Sequence, residues 1–194
     1  GKSDGADSKA AKKVVRSIPG LGNGDIWSGQ DATAMVGRTG SYGVVVGRGW
    51  LGRPGLFADL AAAFAGTPTR VQPNLGQVAH TMRRHAEYLA DYHGSEMKAC
   101  REIRKHVAWY LKGFPAGHDV RHRLALVDSF ATLDDLIAGL DLDAPWPGEP
   151  AEGQRGRAGT PRRVALPDGW LDSQELNEAS AAVVALAELS VSGG

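Results

Sequence analysis

Residues Gly20 to Gly52 read GLGNGDIWSGQDATAMVGRTGSYGVVVGRGWLG, and the spacing of glycines and apolar residues in this stretch decides the fold. Two short apolar runs each end in a glycine-rich turn that carries a polar side chain able to meet an anion. The first turn is Gly22-Asn23-Gly24-Asp25; the second, Gly47-Arg48-Gly49, follows the unbroken run Val44-Val45-Val46. A valine run without polar alternation predicts a strand buried on both faces, as in a parallel sheet covered by helices. Between the runs, Ser28 is placed to cap a helix whose first turn carries Asp31, where the helix dipole favours negative charge; Gly37 or Gly40 ends it. Strand, helix and strand in this order make a βαβ unit.

Glycines at the carboxyl ends of both strands let backbone N–H groups approach an anion, and the Arg48 guanidinium adds a fork of donors suited to phosphate oxygens. Two adjacent βα loops closing on one phosphate is the arrangement found after the last two strands of a TIM barrel. The run Gly47-Arg48-Gly49-Trp50-Leu51-Gly52 also fits the dinucleotide fingerprint G-x-G-x-x-G. That reading wants a second strand ending in an acid about twenty residues on. The sequence there is Thr67-Pro68-Thr69-Arg70-Val71-Gln72-Pro73, with neither.

Three blocks, GNGDIW, GVVVGRGWLGRPGLF and REIRKHVAWYLKGFP, stand in the order in which similar blocks occur in bacterial tRNA-dihydrouridine synthases. The chain resembles the carboxyl-terminal part of that family from about Val14 to Leu140. The resemblance implies an FMN-containing TIM barrel followed by a helical tRNA-binding domain, and reduction of uridine in tRNA to dihydrouridine with NADPH. It also implies that Asn23, Gly24, Asp25, Gly47 and Arg48 hold the phosphate end of FMN. A whole barrel takes about 250 residues, and the resemblance implies that the flavin-ring contacts and the catalytic cysteine lie upstream of the matched stretch. Cys100 does not match that cysteine and reads as packing; no catalytic residue is assigned in this chain. Two alternatives stay open: another FMN-dependent TIM-barrel oxidoreductase acting on a small molecule, or an RNA-binding helical fragment without catalysis.

The resulting fold class is α/β plus all-α: a terminal βαβ unit, then a four-helix bundle. Residues 1–13, small and charged, read as a flexible leader, and 14–66 as the end of the barrel. Pro54 suits the first turn of a helix over Gly55 to Ala65, stopped by Gly66-Thr67-Pro68. Residues 67–143 carry four helices: Asn74-capped to His93, Ser95-capped from Glu96 to Lys112, Asp119 to Ser129, and Thr132-capped from Leu133 to Leu140. Residues 144–194 read as a flexible tail, rich in Pro, Gly and Arg from Pro145 to Arg163, with a terminal helix over Ser173 to Leu189.

Lys and Arg total 22, as do Asp and Glu, so any affinity for a polyanion must come from local charge. From Arg83 to Arg123 there are nine bases and five acids, whereas Leu124 to Pro150 holds six acids and no base. Arg101, Arg104, Lys105 and Lys112 recur at helical spacing and are the candidate RNA face, with Trp109 and Tyr110 read chiefly as core. All six histidines lie between His80 and His122. His80 with His85 and His118 with His122 lack the Cys partners or H-E-x-x-H pattern of a zinc site, so no metal is expected. A single cysteine and the lack of any membrane-length apolar run lead to the expectation of a soluble cytoplasmic protein.

Overall fold

A computed structural model describes residues 17–67 and 69–155, all of which fall in one compact unit. The expected leader and terminal helix lie outside the described residues. Strand β1 (Leu21–Asn23) pairs in parallel with β2 (Gly43–Val45), Gly22 opposite Val44, and helix α1 (Gly29–Thr39) connects them. The start of α1 follows the local chemistry. Ser28 Oγ accepts the Asp31 N–H (3.1 Å) while the Asp31 carboxylate accepts from Ser28 Oγ (2.8 Å) and the Trp27 N–H (3.0 Å). Gly40, at φ 67°, ends the helix in the left-handed region. A 3-10 turn (Arg48–Trp50) and helix α2 (Leu56–Phe64) follow β2. Ile26, Ala32, Met35, Leu56 and Leu60 form the buried core of this part, with Val44 and Val46 against it.

The valine strand is not buried on both faces. Its Gly22 and Val44 face packs on the helices, but Leu21 and Val45 of the other face are 57% and 42% exposed. Two strands with helices on one side leave the second face uncovered among the described residues, which is why the alternation absent from the sequence appears in the burial.

Four helices then share a second core. Helix α3 (Leu75–His93) begins with a reciprocal cap: the Gln77 N–H donates to Asn74 Oδ1 (2.9 Å), and the Asn74 N–H to Gln77 Oε1 (3.0 Å). Gly94 closes α3, and Ser95 at once caps α4 (Glu96–Tyr110), so the two pack as a hairpin. Leu75, Val78, Met82 and Ala86 of α3 meet Cys100, Ile103 and Val107 of α4. Helices α5 (His118–Leu124) and α6 (Phe130–Ala138) add Leu124, Leu133 and Leu136 to this core. Both are short. The third expected helix stops at Leu124 because Val127 turns into the core, and the fourth is capped by Ser129, whose Oγ accepts the Thr132 N–H (3.2 Å), not by Thr132.

The segment expected to open a flexible tail is packed as far as Arg155. Ala144 and Ala151 are buried, and Trp146 sits edge-on to Phe114 (5.9 Å between centroids). Arg155 is buried and donates through Nη1 to the Leu51 (2.8 Å) and Trp109 (2.7 Å) carbonyls and through Nη2 to that of Ala151. It therefore ties three segments that the sequence separates widely. At the same place Gly52, at φ 64°, lies so close to α4 that a Cβ would stand 2.4 Å from the Trp109 carbonyl carbon.

Arg53 and Asp59 form a buried ion pair at 2.7 Å, each side chain 4% exposed. Removing one charge strands the other, which costs about 3 to 5 kcal/mol. Asp59→Ala should therefore lower unfolding free energy by that amount in urea titrations, and Arg53→Met combined with Asp59→Leu should recover part of it. A double variant no more stable than Asp59→Ala would show that packing around the carboxylate, not its charge, matters.

Candidate functional site

The carboxyl ends of the two parallel strands bring the two glycine-rich loops together. Arg48 Nη2 stands 3.8 Å from Asp25 Oδ1, with the Arg48 side chain 46% exposed. Its guanidinium also lies 5.9 Å from the Trp27 ring centroid, so Trp27 fixes the direction of the cation from one side and Asp25 from another. Gly47 is exposed, a Cβ there would meet nothing within 4 Å, and its amide has no hydrogen-bond partner among the described residues. Gly49 differs: a Cβ would fall 2.2 Å from the Ile26 carbonyl oxygen, so this glycine lets the second loop lie directly on the first. Trp27 went unread as part of the site, although it directly follows the first turn.

Arg53 supports this pair of loops from beneath. Its Nη1 donates to the Trp27 carbonyl (3.3 Å), and Asp59 Oδ1 accepts the Val71 N–H (2.6 Å). Arg53 Nε is buried without a hydrogen-bond partner among the described residues. A cavity of about 390 Å³ adjoins it, lined by Arg53, Gly55, Val71, Gln77, Tyr110 and Trp146.

The four basic candidates on and just after α4 separate into two sets. Arg101 and Lys105 reach the surface, Lys105 paired with Glu102 at 2.7 Å. Arg104 instead donates to the Val127 (2.7 Å) and Leu126 (2.8 Å) carbonyls, and Lys112 to those of Glu152 and Gln154 (3.0 Å). These two satisfy carbonyl groups of the following turns, which periodicity alone does not reveal. Cys100 is fully buried, and burial raises its thiol pKa.

The histidines also divide. His118 and His122 stack in parallel at the surface (6.5 Å), while His85 and His106 meet edge to face (4.7 Å) beneath Trp109 and Tyr110. His85 Nδ1 lies 3.2 Å from the Tyr110 hydroxyl. Burial lowers both of the latter imidazoles, His106 to about 4, and pushes Tyr110 up to about 12. Among the described residues no three His, Cys, Asp or Glu side chains are grouped to hold a metal ion, and no helix is long and apolar enough to cross a membrane.

Comparison with known proteins gives these loops a family context. The family described as dihydrouridine synthase (Dus) matches residues 6–137. The probable tRNA-dihydrouridine synthase of Mycobacterium tuberculosis (strain H37Rv) is 56% identical over 160 residues, 82% of this chain and 41% of that protein. The corresponding protein of Mycobacterium leprae is 53% identical over 171 residues, 88% of this chain and 44% of its own length. The tRNA-dihydrouridine synthase B of Pasteurella multocida is 33% identical over 137 residues, 66% of this chain and 41% of its own. The chain thus spans about two fifths of the length of these relatives.

The depressed His106 has a consequence for stability. The folded protein holds it at about 4 against 6.5 when free, so between those values the unfolded chain binds the extra proton. The contribution of His106 is complete above about pH 6.5 and is lost as pH falls toward 4. Arg84 and Lys105 hold Glu87 and Glu102 below the usual carboxylate range, so their contribution is present above that range and is lost only as pH falls through it. The thermal midpoint should therefore fall from pH 7 to pH 5, and fall less in His106→Gln. Parallel midpoint curves for the two proteins would contradict this.

Proposed function

Because the chain belongs to the dihydrouridine synthase family, we propose that it carries the carboxyl-terminal part of a cytoplasmic flavoenzyme that reduces uridine in tRNA to 5,6-dihydrouridine with NADPH. In this reading β1 and β2 are the last two strands of an FMN-binding TIM barrel, and α3 to α6 form the helical tRNA-binding domain as a four-helix bundle. The exposed face bearing Leu21 and Val45 is then the inner face of the barrel. The observation that carries the reading is the meeting of Arg48 with the Asn23-Gly24-Asp25 loop at the carboxyl ends of adjacent parallel strands.

The donor set fits the phosphate end of FMN. Gly47 offers an amide that no side chain covers, and Arg48 offers a half-open guanidinium already oriented by Asp25 and Trp27. Asn23 and Gly24 complete the loop from the first strand. FMN, when bound, supplies the hydride chemistry, and the protein supplies placement and electrostatics. Arg48 anchors one end of the cofactor, and Asp25 keeps that cation from swinging into solvent. No residue of this chain is assigned to proton transfer; Cys100, deep in the helical core, has no access to a substrate. On the RNA side, Arg101 and Lys105 are the exposed cations of the candidate face, Lys105 shared with Glu102. Arg104 and Lys112 border the same face but enter it only with the donors left over from their carbonyl contacts.

Three outcomes are expected. The chain by itself forms no dihydrouridine from tRNA with NADPH; product in such an assay overturns the assignment of chemistry to the rest of the enzyme. In the full-length enzyme Arg48→Ala should weaken FMN retention by about 1.5 to 3 kcal/mol, the range for a charge-assisted hydrogen bond, and unchanged flavin content after dialysis would refute the anchor. Lys105→Ala should flatten the log-log salt dependence of tRNA binding by about one unit. An unaltered slope would remove Lys105 from the interface.

A further inference from the structure

We propose that a recess between the Arg48–Trp50 turn and helix α3 is a stacking site for one unpaired nucleobase of the RNA. The inference rests on the reading above that RNA is the substrate, and it concerns a base-binding position distinct from the phosphate contacts assigned to α4. The recess has a volume of about 290 Å³ and is walled by Trp50, His80, Arg84, His85, Tyr88 and Tyr110. Trp50 is 41% exposed and Tyr88 58% exposed, on two different elements that border the same hollow. Trp50 is continued by Phe57, tilted at 6.5 Å between centroids and itself exposed. So much aromatic surface left in water around one concavity is the signature of a surface that something flat covers.

The charges of the rim narrow the ligand. The Arg84 guanidinium lies over the Tyr88 ring at 4.6 Å and is paired with Glu87 at 2.6 Å. Arg83 behind it is held by Glu87 (3.1 Å) and Asp134 (2.6 Å). With those cations matched by carboxylates, the recess offers π surface and a compensated rim, which suits an uncharged planar base better than a phosphate. Hydrogen-bonding atoms for a base edge are present at His85, whose Nδ1 is occupied by Tyr110 and whose Nε2 remains, and at His80. His85 meets His106 edge to face, so one wall of the recess rests on the helix that carries Arg101 and Lys105.

The test measures binding of a labelled single-stranded octauridylate, and of a duplex of the same length, to the whole chain and to Tyr88→Ala, Tyr88→Phe and Arg101→Ala. Loss of one stacking partner should weaken single-strand binding roughly tenfold in Tyr88→Ala, with Tyr88→Phe close to the parent. Duplex affinity and the salt slope should stay as they are, since no charge is removed. The exposure of Tyr88 keeps the melting temperature of both tyrosine variants near that of the parent. Tyr88→Ala binding the single strand as tightly as the parent, while Arg101→Ala binds less well, overturns the base site and leaves the RNA reading standing. Failure of the parent chain to bind any RNA overturns both. Tyr88-dependent binding of an unstructured octapeptide in place of RNA puts a protein segment in the recess and also overturns the proposal.

Discussion

Arg53 and Asp59 meet at 2.7 Å away from water, and four segments of the chain depend on that contact. Arg53 reaches the Trp27 carbonyl in the loop after β1 and lies against the Trp146 ring at 5.5 Å; Asp59, from α2, holds the Val71 N–H. Taking both charges out of water is costly, and an apolar pair would supply part of the same stability. What an apolar pair could not do is specify direction. Fixed donors and acceptors set where the first loop, α2, the connection to α3 and the carboxyl-terminal segment stand relative to one another. The two glycine-rich loops inherit their positions from this arrangement.

Around that pair the protein uses long cations as internal fasteners. Arg121 closes the carbonyls of Leu111 and Phe114 at the end of α4, Arg104 those of Leu126 and Val127 after α5, and Arg155 those of Leu51, Trp109 and Ala151. Each satisfies carbonyl groups that a helix end or turn leaves open, at positions where water is partly or wholly excluded. Burial and the proximity of Arg53 bring Arg155 down to about 10, still fully charged at neutral pH. Of the four cations that spacing places together, Arg104 and Lys112 spend donors on carbonyls within the protein.

Local chemistry was the legible part of the sequence. Ser28 with Asp31, Asn74 with Gln77, Ser95 and the terminating Gly40 and Gly94 act within a few residues of themselves, so their helices begin and end where capping rules put them. The meeting of Arg48 with the first loop was legible too, because a βαβ unit brings the ends of its strands side by side. Illegible were the partners fixed by long-range geometry. Nothing in the spacing of Arg53 or Arg155 shows which carbonyls they reach, and composition made 145–155 look like a linker although Trp146, Ala151 and Arg155 pack. The valine run misled for the same reason: burial of a strand is set by what covers it, and only one face is covered here.

The uncovered sheet has a further consequence for how this polypeptide behaves in solution. With two strands of three residues each, every strand is an edge, and each presents outward N–H and C=O groups that no third strand within the described residues takes up. Beside them stand Leu21 and Val45, apolar and in water. That combination is a template for strand addition, and the template does not discriminate between a third strand of its own sheet and the same edge on another molecule. The short length of the strands limits the strength of such pairing.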